Sequence, residues 1–156
     1  MIEHQLGAVE RHIIGRAHRQ LDLLLGRIES AAGLVGVLGG AELGHALAQL
    51  LDDLDHVLLP HIEWEEQLCF PETDELAGTP WATRLLRLQH EQISACLEGL
   101  RADVLVLQHG VGLHTLPRVR AHLHGLHALL TSHLEQEERA LLALLLGDSR
   151  PGTGRG

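Results

Sequence analysis

The chain has 156 residues and a formal net charge of −9, with 12 Lys+Arg against 21 Asp+Glu; it is 45% hydrophobic but only 2% aromatic. Acid in excess with no basic run argues against nucleic acid and an anionic membrane surface as partners, and no apolar stretch reaches the roughly 18 residues that a membrane span needs. Leucine alone supplies 35 residues, with one Phe and no Tyr, a composition that suits helices far better than strands.

Four segments carry helical periodicity. The first spans about Gln5 to Glu29, with Ile14, Leu21, Leu24, Leu25 and Ile28 at three- and four-residue spacings, and runs into a glycine-rich connection over 31–40. The second runs from Ala41 to Phe70, with a bend expected at Pro60 and a stop at Pro71. Pro71 to Pro80 reads as a loop, after which the third segment runs from Trp81 to about Leu107 and ends at His109-Gly110-Val111-Gly112. Thr115 as N-cap and Pro117 in the first turn open the fourth, which continues to Leu146. Residues 147–156 read as a flexible C-terminal tail. Four long amphipathic helices with three short connections predict an all-α, antiparallel up-down-up-down four-helix bundle over residues 1–146. Cys69 and Cys96 lack CxxC spacing, and the N-terminus lacks the basic-then-apolar build of a signal peptide. Both features point to reduced thiols in a cytoplasmic protein.

A repeat carries the chemistry. Among 13 histidines, His18 and His61 lie 43 residues apart, as do His90 and His133, and the two pairs are offset by 72 residues. The same offset carries Glu65 onto Glu137 and Glu66 onto Glu138. The chain therefore reads as two helical hairpins of one design, each giving a His from its first helix and HxxxE from its second. A lone HxxxE is a weak signal in a chain this rich in His and Glu; two of them agreeing in offset with an independent His pair are not.

The bundle geometry brings these residues to one level. At about 1.5 Å per residue, all four histidines lie about 14–21 Å from the bundle end that holds the 71–80 connection. His and Glu at i and i+4 share a helix face, so the layer offers four imidazoles and two carboxylates pointing inward. Burying two carboxylates without cations is costly. Two ions bridged by the carboxylates use six donors spread over two layers, which one ion does not. Imidazole with carboxylate suits iron, manganese or zinc, with iron the first choice for a bundle site with open positions.

At these residues the chain resembles the hemerythrin-like, HHE cation-binding family. The likeness covers residues 5–146 and rests on Ala17-His18-Arg19, on Pro60-His61-Ile62-Glu63-Trp64-Glu65-Glu66-Gln67-Leu68-Cys69-Phe70-Pro71, on Gln89-His90-Glu91 and on His133-Leu134-Glu135-Gln136-Glu137-Glu138. The resemblance implies a non-haem di-iron centre, oxo- or hydroxo-bridged, with zinc or manganese as substitutes. His18, His61, His90 and His133 would be terminal ligands and Glu65 and Glu137 would bridge. Oxygen-carrying hemerythrins have a further histidine where this chain has Ser94, and HxxxxD where it has His133-x-x-x-Glu137. Four histidines leave an additional coordination position, which points away from reversible oxygen carriage. The expected activity is binding, sensing or reacting with a small oxidant: dioxygen, hydrogen peroxide or nitric oxide. The alternatives are a catalase-like peroxide-decomposing enzyme, an iron-donating or iron-sensing module, and a redox-silent zinc protein. The absence of Tyr excludes a tyrosyl radical. Monomer and homodimer both stay open.

The remaining nine histidines read as solvated or hydrogen-bonded rather than ligating. His56, His124 and His127 fall off the ligand face, and His122, on that face, lies about 16 Å up the axis from His133. Glu66 and Glu138 read as supporting or surface acids, Asp22 and the run Asp52-Asp53-Leu54-Asp55 as solvent-facing charge, and Cys69 as core. Glu42-x-x-His45 has no second ExxH to complete a ferritin-like site.

Overall fold

The structure, a computed structural model, describes residues 2–110 and 114–147, and side chains over 15–110 and 114–140. The tail expected over 147–156 lies outside the described residues except for Gly147. Four long helices carry the fold: α1 (Ile2–Leu34), α2 (Gly40–Trp64), α4 (Arg84–Gln108) and α5 (Leu116–Gly147), with a short α3 (Phe70–Ala77) between the second and third of them. No strand occurs among the described residues. α1 packs on α2 and α5, and α4 packs on α2 and α5, so the four long helices close a square. This is the expected all-helical bundle.

The core is the sum of four leucine-rich stripes at three- and four-residue spacing. They comprise Leu21, Leu24 and Ile28 on α1, and Leu43, Leu47, Leu50, Leu54 and Leu58 on α2. Ile93, Leu97, Leu100, Val104 and Leu107 continue the layer on α4, and Val119, Leu123, Leu126, Leu130 and Leu134 on α5. Each such side chain contributes about 1.5–3 kcal/mol on burial. Every stripe then changes character at one end. His18, His61, His90 and His133 lie three residues from Leu21, Leu58, Ile93 and Leu130, in positions the helical period aims at the core. The polar layer is thus a continuation of the hydrophobic one.

Two connections differ from the sequence expectation. α1 continues to Leu34, and the chain turns over 35–39, where Gly36 takes φ +89°. The second segment does not stop at Pro71. Glu65–Cys69 form a π-helical turn in which the Phe70 N–H donates to the Glu65 carbonyl, and the helix resumes as α3 through Ala77. Pro71 falls in the first turn of α3, where a missing N–H is tolerated and the widened turn relieves the ring's clash with the preceding carbonyl. Gly78, at φ +67°, ends α3 in the left-handed conformation that glycine adopts without strain. The third long helix begins at Arg84 rather than Trp81. Residues 81–83 form a turn because the Asp74 carboxylate accepts the Thr83 N–H (2.9 Å) and hydroxyl (3.0 Å), tying the end of α3 to the start of α4.

Candidate metal centre

The six residues singled out by the repeat converge. His61, Glu65, His90, His133 and Glu137 are buried and His18 is partly so. Their donor atoms fall into two groups, each lying within 4.8 Å of one another: His18, His61, Glu65 and Glu137 in one, Glu65, His90 and His133 in the other. The first hairpin supplies both histidines of the first group and the second hairpin both of the second, with Glu65 common to the two. Glu137 also approaches the second group, its Oε2 lying 3.5 Å from His133 Nε2. Glu65 can be shared because it lies one helical turn beyond His61 and faces His90 on α4 and His133 on α5.

All four Nε2 atoms point inward. His90 Nε2 lies 3.1 Å from His133 Nε2 and 2.9 Å from Glu65 Oε2, while His61 Nε2 lies 2.7 Å from Glu65 Oε1 and His18 Nε2 3.4 Å from Glu137 Oε2. Two ligands bonded at about 2 Å to one ion at near-right angles stand about 3 Å apart, which is the spacing found here. Hydrogen bonding alone leaves the layer incomplete. His18 Nε2, His61 Nε2, Glu65 Oε1 and both Glu137 oxygens are buried and, though some lie close to one another, make no hydrogen bond of proper alignment among the described residues. Buried polar atoms are otherwise almost always paired, so five convergent orphans with a nitrogen-and-carboxylate donor set fit a cation site.

The electrostatics agree. Burial works against ionisation of both carboxylates. At Glu65, His133, His61 and His90 outweigh it and hold the group far below the usual carboxylate range. Burial pushes Glu137 up to about 7, with His18 pulling it back and the Glu65 charge adding to the rise. Burial also disfavours the His18 and His90 cations. Glu137 overcomes it at His18, and Glu65 with Glu66 at His90, so both imidazoles sit above their ordinary value. Burial wins at His133, which is lowered. Two carboxylates this close cannot both ionise without a positive charge between them.

Residues behind the layer orient it. The His90 Nδ1–H donates to Glu66 (2.7 Å), which accepts from Arg87 (2.5 Å). The His133 Nδ1–H donates to the Gln89 amide oxygen (3.1 Å), and the Gln89 amide nitrogen donates to Gln136 (3.0 Å). With the proton on Nδ1, Nε2 presents a lone pair inward, the tautomer that a metal ligand needs. Phe70 stacks on His90 at 5.1 Å and Trp64 on His61 at 6.2 Å. Glu66 was legible from the repeat; Arg87 and Gln89 were not, because nothing in the chain marks which residue of a neighbouring helix stands behind an imidazole.

Other expectations fall out as follows. Ser94, Asp22, Glu42, His45, His56 and His124 are exposed and Cys69 is buried beside Phe70 and Leu86. The side chains of His4 and His12 lie outside those described. Asp53 and Asp55 are not simply solvated: they pair across the bundle with Arg27 and Arg101. His122 is held over Gly99 by Asp103, which is wholly buried and also pairs with Arg118.

Residues 10–145 match the model of the hemerythrin family, described as the hemerythrin HHE cation-binding domain. The chain belongs to the hemerythrin HHE cation-binding family. Its two His/Glu groups are compatible with the metal centre that such a domain carries. The chain matches no curated protein and no solved structure. No helix among the described residues is long and apolar enough to cross a membrane.

Proposed function

We propose that the chain is a cytoplasmic non-haem di-iron protein that binds, senses or reacts with dioxygen, hydrogen peroxide or nitric oxide. The observation that carries this reading is the pair of donor groups sharing Glu65, each with two histidines, around buried donor atoms that make no aligned hydrogen bond among the described residues. In it, His18 and His61 would hold one ion and His90 and His133 the other, with Glu65 and Glu137 available to both. An iron pair bound there would supply electrons and vacant coordination positions to a small oxidant. The chain's own contribution is to hold two carboxylates in a dry layer, where their negative charge offsets that of the ions. The leucine layer that begins at Leu21, Leu58, Ile93 and Leu130 keeps water from one side.

One observation favours reaction or sensing over reversible carriage. Ser94, the position at which oxygen carriers place another histidine, is exposed on α4 and contributes no donor to either group. A bound pair therefore has fewer protein ligands than positions. The test is metal content after anaerobic loading with ferrous ion, followed by the optical spectrum as air or peroxide is admitted. Two irons per chain with an iron-centred absorption appearing on oxidation support the reading. Rapid oxygen evolution from peroxide would select the catalase-like alternative. One equivalent of redox-silent metal, or none, would overturn it.

A further inference from the structure

The two hairpins supply the same donors but not the same support. Behind His90 and His133 stand Glu66, Arg87 and Gln89, with Phe70 stacked on His90 and the Arg87 guanidinium 5.2 Å from the Phe70 ring. The 72-residue offset maps Arg87 onto Gly15 and Gln89 onto Ala17, neither of which has a side chain long enough to brace His18 or His61. Glu138, the mate of Glu66, is exposed. Among the described residues, no side chain accepts a hydrogen bond from Nδ1 of His18 or His61. Among the described residues, His61 has Trp64 stacked on it but no side-chain acceptor at Nδ1, and His18 has neither. A cleft of about 370 Å³ runs between α1 and α5, lined by Gly15, His18 and Glu138 among others. His18 is 18% exposed, against 5%, 5% and 2% for His61, His90 and His133.

Resting on the two-metal reading above, we infer that the two metal positions differ in affinity and exchange. The position at His90 and His133 retains its ion, and the position at His18 and His61 exchanges it through the α1–α5 cleft. Glu66, Arg87 and Gln89 are positioning residues for the retained ion. The physical basis is twofold. An acceptor on Nδ1 fixes the imidazole's tautomer and orientation before the metal arrives, and such outer partners are typically worth about 10–100-fold in metal affinity. Exchange also requires water or a competing ligand to reach the coordination sphere, and His18 is the histidine that borders the cleft.

The test uses the full chain loaded anaerobically with two equivalents of ferrous ion, with release followed into an excess of a coloured ferrous chelator. The expected result is two phases of one equivalent each, separated at least about tenfold in rate, in line with the outer-partner effect. His18→Ala should leave the slow phase alone. Glu66→Gln should speed the slow phase by about 10–100-fold and leave the fast one unchanged, with helicity intact, since Glu66 is partly exposed and its loss opens no cavity. Gly15→Leu should slow only the fast phase; a Cβ there meets nothing closer than Arg19 Nη1 at 3.7 Å, and the remaining side-chain atoms are placed at the cleft that Gly15 lines. Release in a single phase overturns the inference, as does Glu66→Gln acting on the fast phase or on neither. Uptake of fewer than two equivalents by the unaltered chain instead overturns the two-metal reading, and this inference with it.

Discussion

At the scale of single residues, the site is a set of polar groups placed where leucines would otherwise stand. His61 and Glu137 are buried to the same degree as the core around them, so each has lost its water and needs a partner. Under the proposed reading, His61→Ala or Glu137→Ala abolishes the two-metal stoichiometry, whereas His124→Ala, at an exposed position, leaves it intact; metal content per chain after loading checks both arms. Glu137 also sets a pH dependence. Its folded value near 7 is above its ordinary 4.5, so the folded state binds a proton more tightly than the unfolded state does. The resulting stability is full below about 4.5 and is lost as the pH rises through 7. His18 and His90, also raised, act in the same direction, while His133, lowered, opposes them. For protein stripped of metal, the melting temperature should therefore fall from pH 5 to pH 8, and Glu137→Gln should flatten that fall. An equal slope in the variant would mean that Glu137 is not the group responsible.

At the scale of elements, the π turn and the α3–α4 junction do the positioning. The turn adds a residue to the helix between Glu65, which faces the layer, and Phe70, which stacks on His90. Deleting Leu68, whose side chain is 61% exposed and packs on little, would restore the α-helical register and swing Phe70 about 100° around the axis. Both the melting temperature and the metal stoichiometry should drop, and retention of both would show that the turn is not what aligns these residues. At the junction, Asp74 takes the Thr83 N–H and hydroxyl and lies 3.5 Å from Arg87. Asp74→Ala should cost about 0.5–2 kcal/mol, the range for loss of a capping side chain, measured by urea unfolding. It should also loosen Arg87 from Glu66. The sequence places α3 within a loop because Pro71 is a strong local stop signal; only the bonding around it reveals a turn that absorbs the proline.

At the scale of the whole molecule, the bundle divides into a leucine layer that holds the four helices together and a polar layer compatible with a bound cation. Leu54, wholly buried on α2, lies in the first of these. Leu54→Ala should destabilise the chain by about 2–5 kcal/mol while leaving metal stoichiometry unchanged, as read by thermal unfolding of the loaded protein. Metal binding should in turn stabilise the fold by mass action, about 2.7 kcal/mol when free metal exceeds its dissociation constant a hundredfold. A melting temperature indifferent to metal would separate the polar layer from the folding of the bundle and count against a buried cation.

The helical class, the four long segments and the level at which six polar residues meet were all legible in one dimension. Helical period is a local property, and the 72-residue offset is a feature of the chain itself. His18, Glu65 and Glu137 could be named because each repeats, or because a helical turn ties it to another donor. What the sequence could not carry depends on which side chains of different helices stand opposite each other. Glu65 is common to both donor groups because it lies one turn from His61 and meets His90 and His133 across the bundle. Arg87 and Gln89 brace their imidazoles across helix interfaces, and Asp103 is buried because His122 and Arg118 on α5 reach it. The repeat makes the two hairpins look equivalent; tertiary packing decides that, among the described residues, Glu66 and Gln89 back His90 and His133 while His18 borders a cleft.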